Sequence, residues 1–251
     1  MKLTTLFFRR RLWILVHHWL TELSLTLLLP VVVYLSIVFG LKNILQNVIE
    51  GILFEAWVQP GLVFVVVLVS SYFPLFSDLF ENRRTESFYE SIMATPNSST
   101  GLASALIFAM IPEVLIRAFI AIIILQFLSG LFLPILPMIG FLFFILIFAL
   151  LVVNLSFTLA LVTKSSVLHL FGVFTIFLAI IFSSGWIIPL ESFPVSLENV
   201  FALLPTAMLI NGGRELIFSM HLTLITWLVP LLIAVVWQLL NMFLFTRVMI
   251  R

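Results

Sequence analysis

Long uncharged runs alternate along the chain with short charged stretches. Six runs are long enough to cross a ~30 Å hydrocarbon layer as helices, which takes about 20 residues each: 25–41, 60–79, 102–128, 138–162, 167–188 and 223–245. Inside these limits the acidic and basic side chains are Asp78, at the end of the second run, and Glu113 with Arg117 in the third. Stretches such as 141–153 are apolar throughout, so they do not fit the alternating ~10-residue strands of a transmembrane barrel. The pattern predicts an all-α polytopic membrane protein, one bundle of six transmembrane helices over 25–245 followed by a short tail, 246–251.

The segment before the first run, 1–24, has a different periodicity. At about 100° per residue, Phe8, Leu12, Leu15, Val16, Trp19 and Leu23 gather on one face, and Arg10, Arg11, His17, His18 and Thr21 on the other. This predicts an N-terminal interfacial helix, apolar face in the acyl boundary and basic face against lipid headgroups. With the N-terminus inside, Lys2, Arg9, Arg10, Arg11, Arg83, Arg84, Lys164, Arg247 and Arg251 fall on the cytoplasmic side, and only Lys42 and Arg214 fall outside. Both termini are therefore expected in the cytoplasm. A cleaved leader is the competing reading of the basic start, but no alanine precedes Ala56, so no Ala-x-Ala site follows the apolar stretch.

Composition narrows the classes. Of 251 residues, 63% are hydrophobic and 9% charged, against roughly 25% charged in an ordinary soluble domain. That excludes a water-soluble enzyme and a disordered chain. The net charge of +1 lacks the concentrated basic surface that nucleic acid requires. Without cysteine, disulfides, thiolate metal sites and thiol catalysis are all excluded.

Candidate chemistry is sparse. No histidine stands at ligand spacing from a carboxylate, so no metal site and no catalytic constellation is expected. No lysine follows a glycine, so the phosphate-binding loop is missing as well. Glu113 and Arg117 share one face of the third span, four residues apart, and can neutralise each other. A charge at that depth costs roughly 2.5–3.5 kcal/mol on insertion scales, so the pair either lines a polar path or fixes helix packing. The loop after the second span is the most charged part of the chain, with Glu81, Arg83, Arg84, Glu86 and Glu90. Phe88, Tyr89, Ile92 and Met93 would form the apolar edge of a short helix there, which Pro96 would stop. Between Gly185 and His221, apolar pieces are broken by Glu191, Pro194, Glu198 and Pro205. Neither piece can span, so a pair of short helices dipping into the outer leaflet is expected.

The ordered set of these residues resembles the permease subunit of ABC transporters of the ABC-2 type. It comprises Pro60 and Gly61, then Arg84 and 86–90 with Met93, Ala94, Thr95 and Pro96, then Arg117. Ser184 and Gly185, Pro189, Phe193 and Pro194, Leu204 and Pro205, and Gly213 and Arg214 complete it. One departure is Ser104 and Ala105, where that family often carries a Gly-Lys pair. The resemblance implies a six-span exporter subunit of a bacterial cell membrane. The inner loop would be a cytoplasmic coupling helix docked on a separate ATPase, and the outer segment, with Gly185, Pro189, Pro194, Pro205 and Arg214, a re-entrant hairpin between spans five and six. It implies two ATPase copies, and a second permease copy completing a homodimer with the pathway between the two. ATP and magnesium would sit on the ATPase, and this chain would carry no cofactor. Two other readings remain: an intramembrane enzyme acting on lipid-linked substrates, and a secondary transporter using Glu113 as a proton site.

Overall fold

The structure, a computed structural model, describes residues 3–42, 52–84, 98–130 and 132–249. The helices are α1 (Leu3–His17), α2 (Trp19–Tyr34), α3 (Phe54–Arg84), α4 (Ser99–Ser129), α5 (Ile135–Val162), α6 (Ser166–Ser183), α7 (Val195–Ala202), α8 (Pro205–Ser219) and α9 (Leu224–Met249). A π-helical turn, Leu35–Phe39, extends α2, and a 3-10 turn, Leu190–Ser192, precedes α7.

Local chemistry explains the ends. Ser98 caps α4 by accepting from the Gly101 amide at 3.1 Å, which satisfies one of the donors that a helix start leaves open. The same helix closes on Gly130 at φ 70°, a left-handed conformation that costs glycine little. Pro205 opens α8, where its missing N–H is no loss. Pro30, Pro60, Pro74, Pro112 and Pro230 lie inside long helices, as neighbouring helices in a membrane bundle permit.

Five helices are long and apolar enough to cross a bilayer: Trp19–Phe39, Phe54–Glu81, Ser99–Ser129, Ile135–Val162 and Leu224–Arg247. With 18 residues, α6 lies at the short end of the ~17–25 that a span takes. The pair α7 and α8 is bent by 85° at its break, the short helix pair expected from the prolines.

Cross-helix contacts give the directions. Asp78 meets Arg10 while Glu55 meets Lys42, so α3 runs against α1 and α2. Phe64 touches Phe141 and Phe148, and Ser156 donates to the Tyr72 carbonyl at 2.8 Å, so α5 runs with α3. Phe143 meets Trp227 and Phe157 meets Phe245, so α9 runs with α5. At its start α6 stacks His169 on Phe76, and just past its end Trp186 packs on Phe64, antiparallel to α3. Ser99 bonds Thr246 at 2.9 Å. The start of α4 and the end of α9 therefore share one end of the bundle with Arg10 and Asp78, as strict up-and-down alternation requires.

Several boundaries differ from expectation. The first span opens at Trp19 rather than Leu25, because α1 breaks at His18 (φ −107°, ψ 28°) and the next helix starts at once. Glu22 therefore lies inside the first span. The helix of the fifth run, α6, stops at Ser183, not Ile188, since Gly185 turns the chain at φ 70°. Near the tail, α9 continues beyond Phe245 to Met249.

Candidate functional site

Four charged side chains meet where α1, α2 and α4 converge. Glu113 sits on α4 with Arg117 one turn further along, and Arg117 Nη2 donates to Glu113 Oε1 at 2.6 Å. The pair expected from the sequence is present, but it is half of a larger cluster. Arg11 of α1 donates from Nε to Glu113 Oε2 at 2.6 Å and from Nη2 to Glu113 Oε1 at 3.1 Å. Arg117 Nη2 also donates to Glu22 of α2. Two cations and two anions balance, which is the condition under which charges tolerate burial. Glu113, Arg117 and Arg11 are all buried.

A companion pair ties in the third element. Arg10 grips Asp78 with two parallel bonds, Nη1 to Oδ2 at 2.7 Å and Nη2 to Oδ1 at 2.6 Å. Such fork-to-fork geometry is the strong form of a carboxylate contact. Burial disfavours the Arg11 charge, but the hydrogen bonds and charge of Glu113 outweigh it and hold the guanidinium pKa above its ordinary value.

This arrangement corrects the reading of the N-terminal helix faces. Arg10 and Arg11 turn toward α3 and α4 instead of toward headgroups, and the face left outward carries Leu12, Trp13, Val16, Trp19, Leu20 and Leu23, all exposed. The physical reason is the pair of carboxylates, Asp78 and Glu113, which the two arginines can reach only by facing the bundle. Sequence reasoning missed Arg11 and Glu22 as cluster members. For Glu22 a signal existed, a lone carboxylate just ahead of an apolar run, and placing the span boundary at Leu25 hid it.

The cluster stands between two cavities. One, of about 280 Å3, is lined by Phe8, Leu15, Trp19, Ile116 and Ile120 together with Arg11, Glu22, Glu113 and Arg117. The other, of about 520 Å3, lies between α2 and α6 along α3.

At the opposite end of the bundle, Arg214 of α8 is a further buried charge. Its guanidinium donates to the carbonyls of Trp57 at 3.1 Å, Gly185 at 2.7 Å and Trp186 at 3.0 Å, and stands 3.6 Å over the Trp57 ring. Among the described residues no carboxylate pairs with it, so carbonyl dipoles and the ring face carry its solvation. Gly61 makes the same junction possible: a Cβ there would run into the Trp186 carbonyl. Pro189, Pro194 and Pro205 stand at the starts of the 3-10 turn, α7 and α8. Ser184 reaches Thr206 at 2.5 Å. Of the outer-hairpin residues singled out in the sequence, Gly185 thus meets Arg214 directly, while Pro189, Pro194 and Pro205 open the turn and the two helices that follow.

Glu81 lies on the last turn of α3 that carries described side chains, and of Arg83 and Arg84 only helical backbone is described. Glu86, Phe88, Tyr89, Glu90 and Ile92, all of the expected coupling segment, lie outside the described residues. No group of three or more His, Asp or Glu that could hold a metal occurs among the described residues.

A bundle of antiparallel apolar helices, closed at one end by a bent helix pair and braced at the other by buried ion pairs, defines a polytopic membrane protein. A model of the ABC-2 type transporter family matches residues 2–218, so this chain belongs to the membrane-domain family of ABC-2 type transporters and is a transmembrane transporter component. Among curated proteins, comparison of the sequence finds no match.

Proposed function

We propose that the chain is the membrane-spanning subunit of an ATP-driven exporter, coupled to a separate ATPase through 81–95. The observation that carries this reading is the double tether of α1. Arg10 holds the end of α3 at Asp78, and Arg11 holds α4 at Glu113. Those two helices lead into and out of the segment 85–97. A push on that segment moves α3 and α4, and the tethers pass the motion to α1 and, through Arg117 and Glu22, to the first span.

In this reading two ATPase copies bind ATP and magnesium, and two permease copies, as a homodimer, form the path between them. Glu113 and Arg117 brace the wall of that path. The chain lies in a bacterial inner membrane with both termini in the cytoplasm, on the side of the ATPase. The family membership and the shared end of α4 and α9 support this orientation.

The test is copurification with the cognate ATPase, combined with ATP hydrolysis and export. Phe88→Ala should weaken the complex, because an apolar anchor in a pocket carries much of a docking energy. Glu90→Arg should impair export by opposing a complementary surface. Hydrolysis without export in either variant identifies the segment as the element that transmits motion. Normal association and normal export in both would overturn the assignment.

A further inference from the structure

The 520 Å3 cavity between α2 and α6 has Arg11, Glu22, Arg117 and His169 in its wall, with Ser70 and Ser77 beside them. Toward the described residues Arg117 donates only through Nη2, and Arg11 only through Nε and Nη2. A guanidinium carries five N–H donors. Nε and Nη1 of Arg117 and Nη1 of Arg11 therefore have no acceptor among the described residues, in residues only 5% and 8% exposed. None of the three nitrogens is sealed off without a partner, so an occupant that supplies acceptors can form charge-assisted bonds to them.

The acceptor side is similarly incomplete. Glu22 uses Oε2 toward Arg117 and leaves Oε1 without a bond among the described residues. Together with Glu113, which both arginines hold, Arg11, Arg117 and Glu22 sum to zero charge, so the wall offers free donors and a free acceptor within a balanced cluster. Toward the surface the cavity meets Leu25, Phe73 and Leu170, which are 41%, 40% and 60% exposed. A polar, uncharged-in-sum end with an apolar mouth is complementary to an amphiphile whose head carries both signs.

We propose that this cavity takes the headgroup of a zwitterionic, phosphate-bearing amphiphile, its phosphate on the spare nitrogens of Arg117 and Arg11 and its ammonium on Glu22. The tail leaves past Leu25, Phe73 and Leu170. This assignment of a substrate class rests on the transporter reading above. A headgroup with phosphate alone brings an uncompensated negative charge into a neutral wall, and a headgroup with neither leaves the arginine donors unmet.

Native mass spectrometry of the detergent-purified full chain tests it, with phosphatidylethanolamine, phosphatidylglycerol, diacylglycerol and soluble phosphoethanolamine as probes. Phosphatidylethanolamine should be retained roughly tenfold more strongly than diacylglycerol, as hydrogen bonds to charged groups allow, and more strongly than phosphatidylglycerol. Ser77→Trp fills the cavity from an exposed position without touching the ion pairs, and it should abolish that preference while the protein stays monodisperse. Arg117→Lys keeps the charge but removes the planar spare donors, and should reduce retention. Competition by phosphoethanolamine at equal concentration would assign the site to the free headgroup and overturn the amphiphile. Equal retention of the three lipids, or no effect of Ser77→Trp, would overturn the site altogether. The transporter reading fails separately: lipid preference lost in Ser77→Trp but no association with any ATPase leaves the site standing and removes the coupled exporter.

Discussion

Arg11 of α1 and Glu113 of α4, 102 positions apart, form a two-pronged ion pair in which both carboxylate oxygens accept from one guanidinium, at 2.6 and 3.1 Å. Arg117 adds a third bond to the same carboxylate. Glu113 is therefore the hub, and its loss leaves two buried cations facing one anion, Glu22. Glu113→Leu should destabilise the protein by about 3–5 kcal/mol, the range for breaking a buried pair. The double change Glu113→Leu with Arg117→Leu leaves Arg11 and Glu22 in balance and should cost less. Thermal unfolding in detergent, followed by the monodisperse fraction on size exclusion, compares them; a double variant less stable than the single would refute the charge-balance account.

Arg214 presents a different problem, since it satisfies three carbonyls that point from two segments. A lysine ammonium is a compact point on a flexible stem and cannot meet all three in one plane. Arg214→Ala should cost roughly 3 kcal/mol from lost charge-assisted bonds and ring contact, and Arg214→Lys most of that. Limited proteolysis after Glu198, at the outer hairpin, should accelerate in both. Unchanged cleavage would mean that the guanidinium does not hold the hairpin.

Two helical glycines separate packing from propensity. A Cβ at Gly61 meets the Trp186 backbone, whereas at Gly40 it meets nothing within 4 Å. Gly61→Ala should destabilise by about 1–3 kcal/mol, as overpacking does. Gly40→Ala should be neutral or stabilise by up to roughly 1 kcal/mol from helix propensity. The thermal midpoint should fall in Gly61→Ala and hold or rise in Gly40→Ala, and a midpoint that does not fall in Gly61→Ala would contradict the close approach of α3 to Trp186.

The absence of native cysteine allows topology to be read without background. Lys164, between α5 and α6, and Ser219, at the end of α8, are both exposed and lie at opposite ends of the bundle. In intact cells an impermeant thiol reagent should label Ser219→Cys and not Lys164→Cys, and permeabilised cells should label both. Labelling of Lys164→Cys in intact cells would invert the orientation proposed for the termini.

Most of the architecture was legible in the sequence. The apolar runs predicted the helices, because transfer into hydrocarbon is a sum over about 20 adjacent residues and needs no knowledge of partners. Pro194 and Pro205, with Glu191 and Glu198, predicted the broken outer segment for an equally local reason, since a proline removes a backbone donor and a carboxylate resists hydrocarbon at its own position. Glu113 and Arg117 could be paired because a helix brings i and i+4 together wherever it sits.

Only the tertiary structure decided which way α1 faces, and with it the third and fourth members of the buried cluster. Amphipathic periodicity separates two faces but does not say which one meets the bundle, and beside Asp78 and Glu113 the two arginines of the basic face, Arg10 and Arg11, turn inward. The same limit applies to Arg214, whose acceptors are backbone carbonyls of Trp57, Gly185 and Trp186. Every residue carries such a carbonyl, so no side-chain pattern could mark those three before packing brought them to one point.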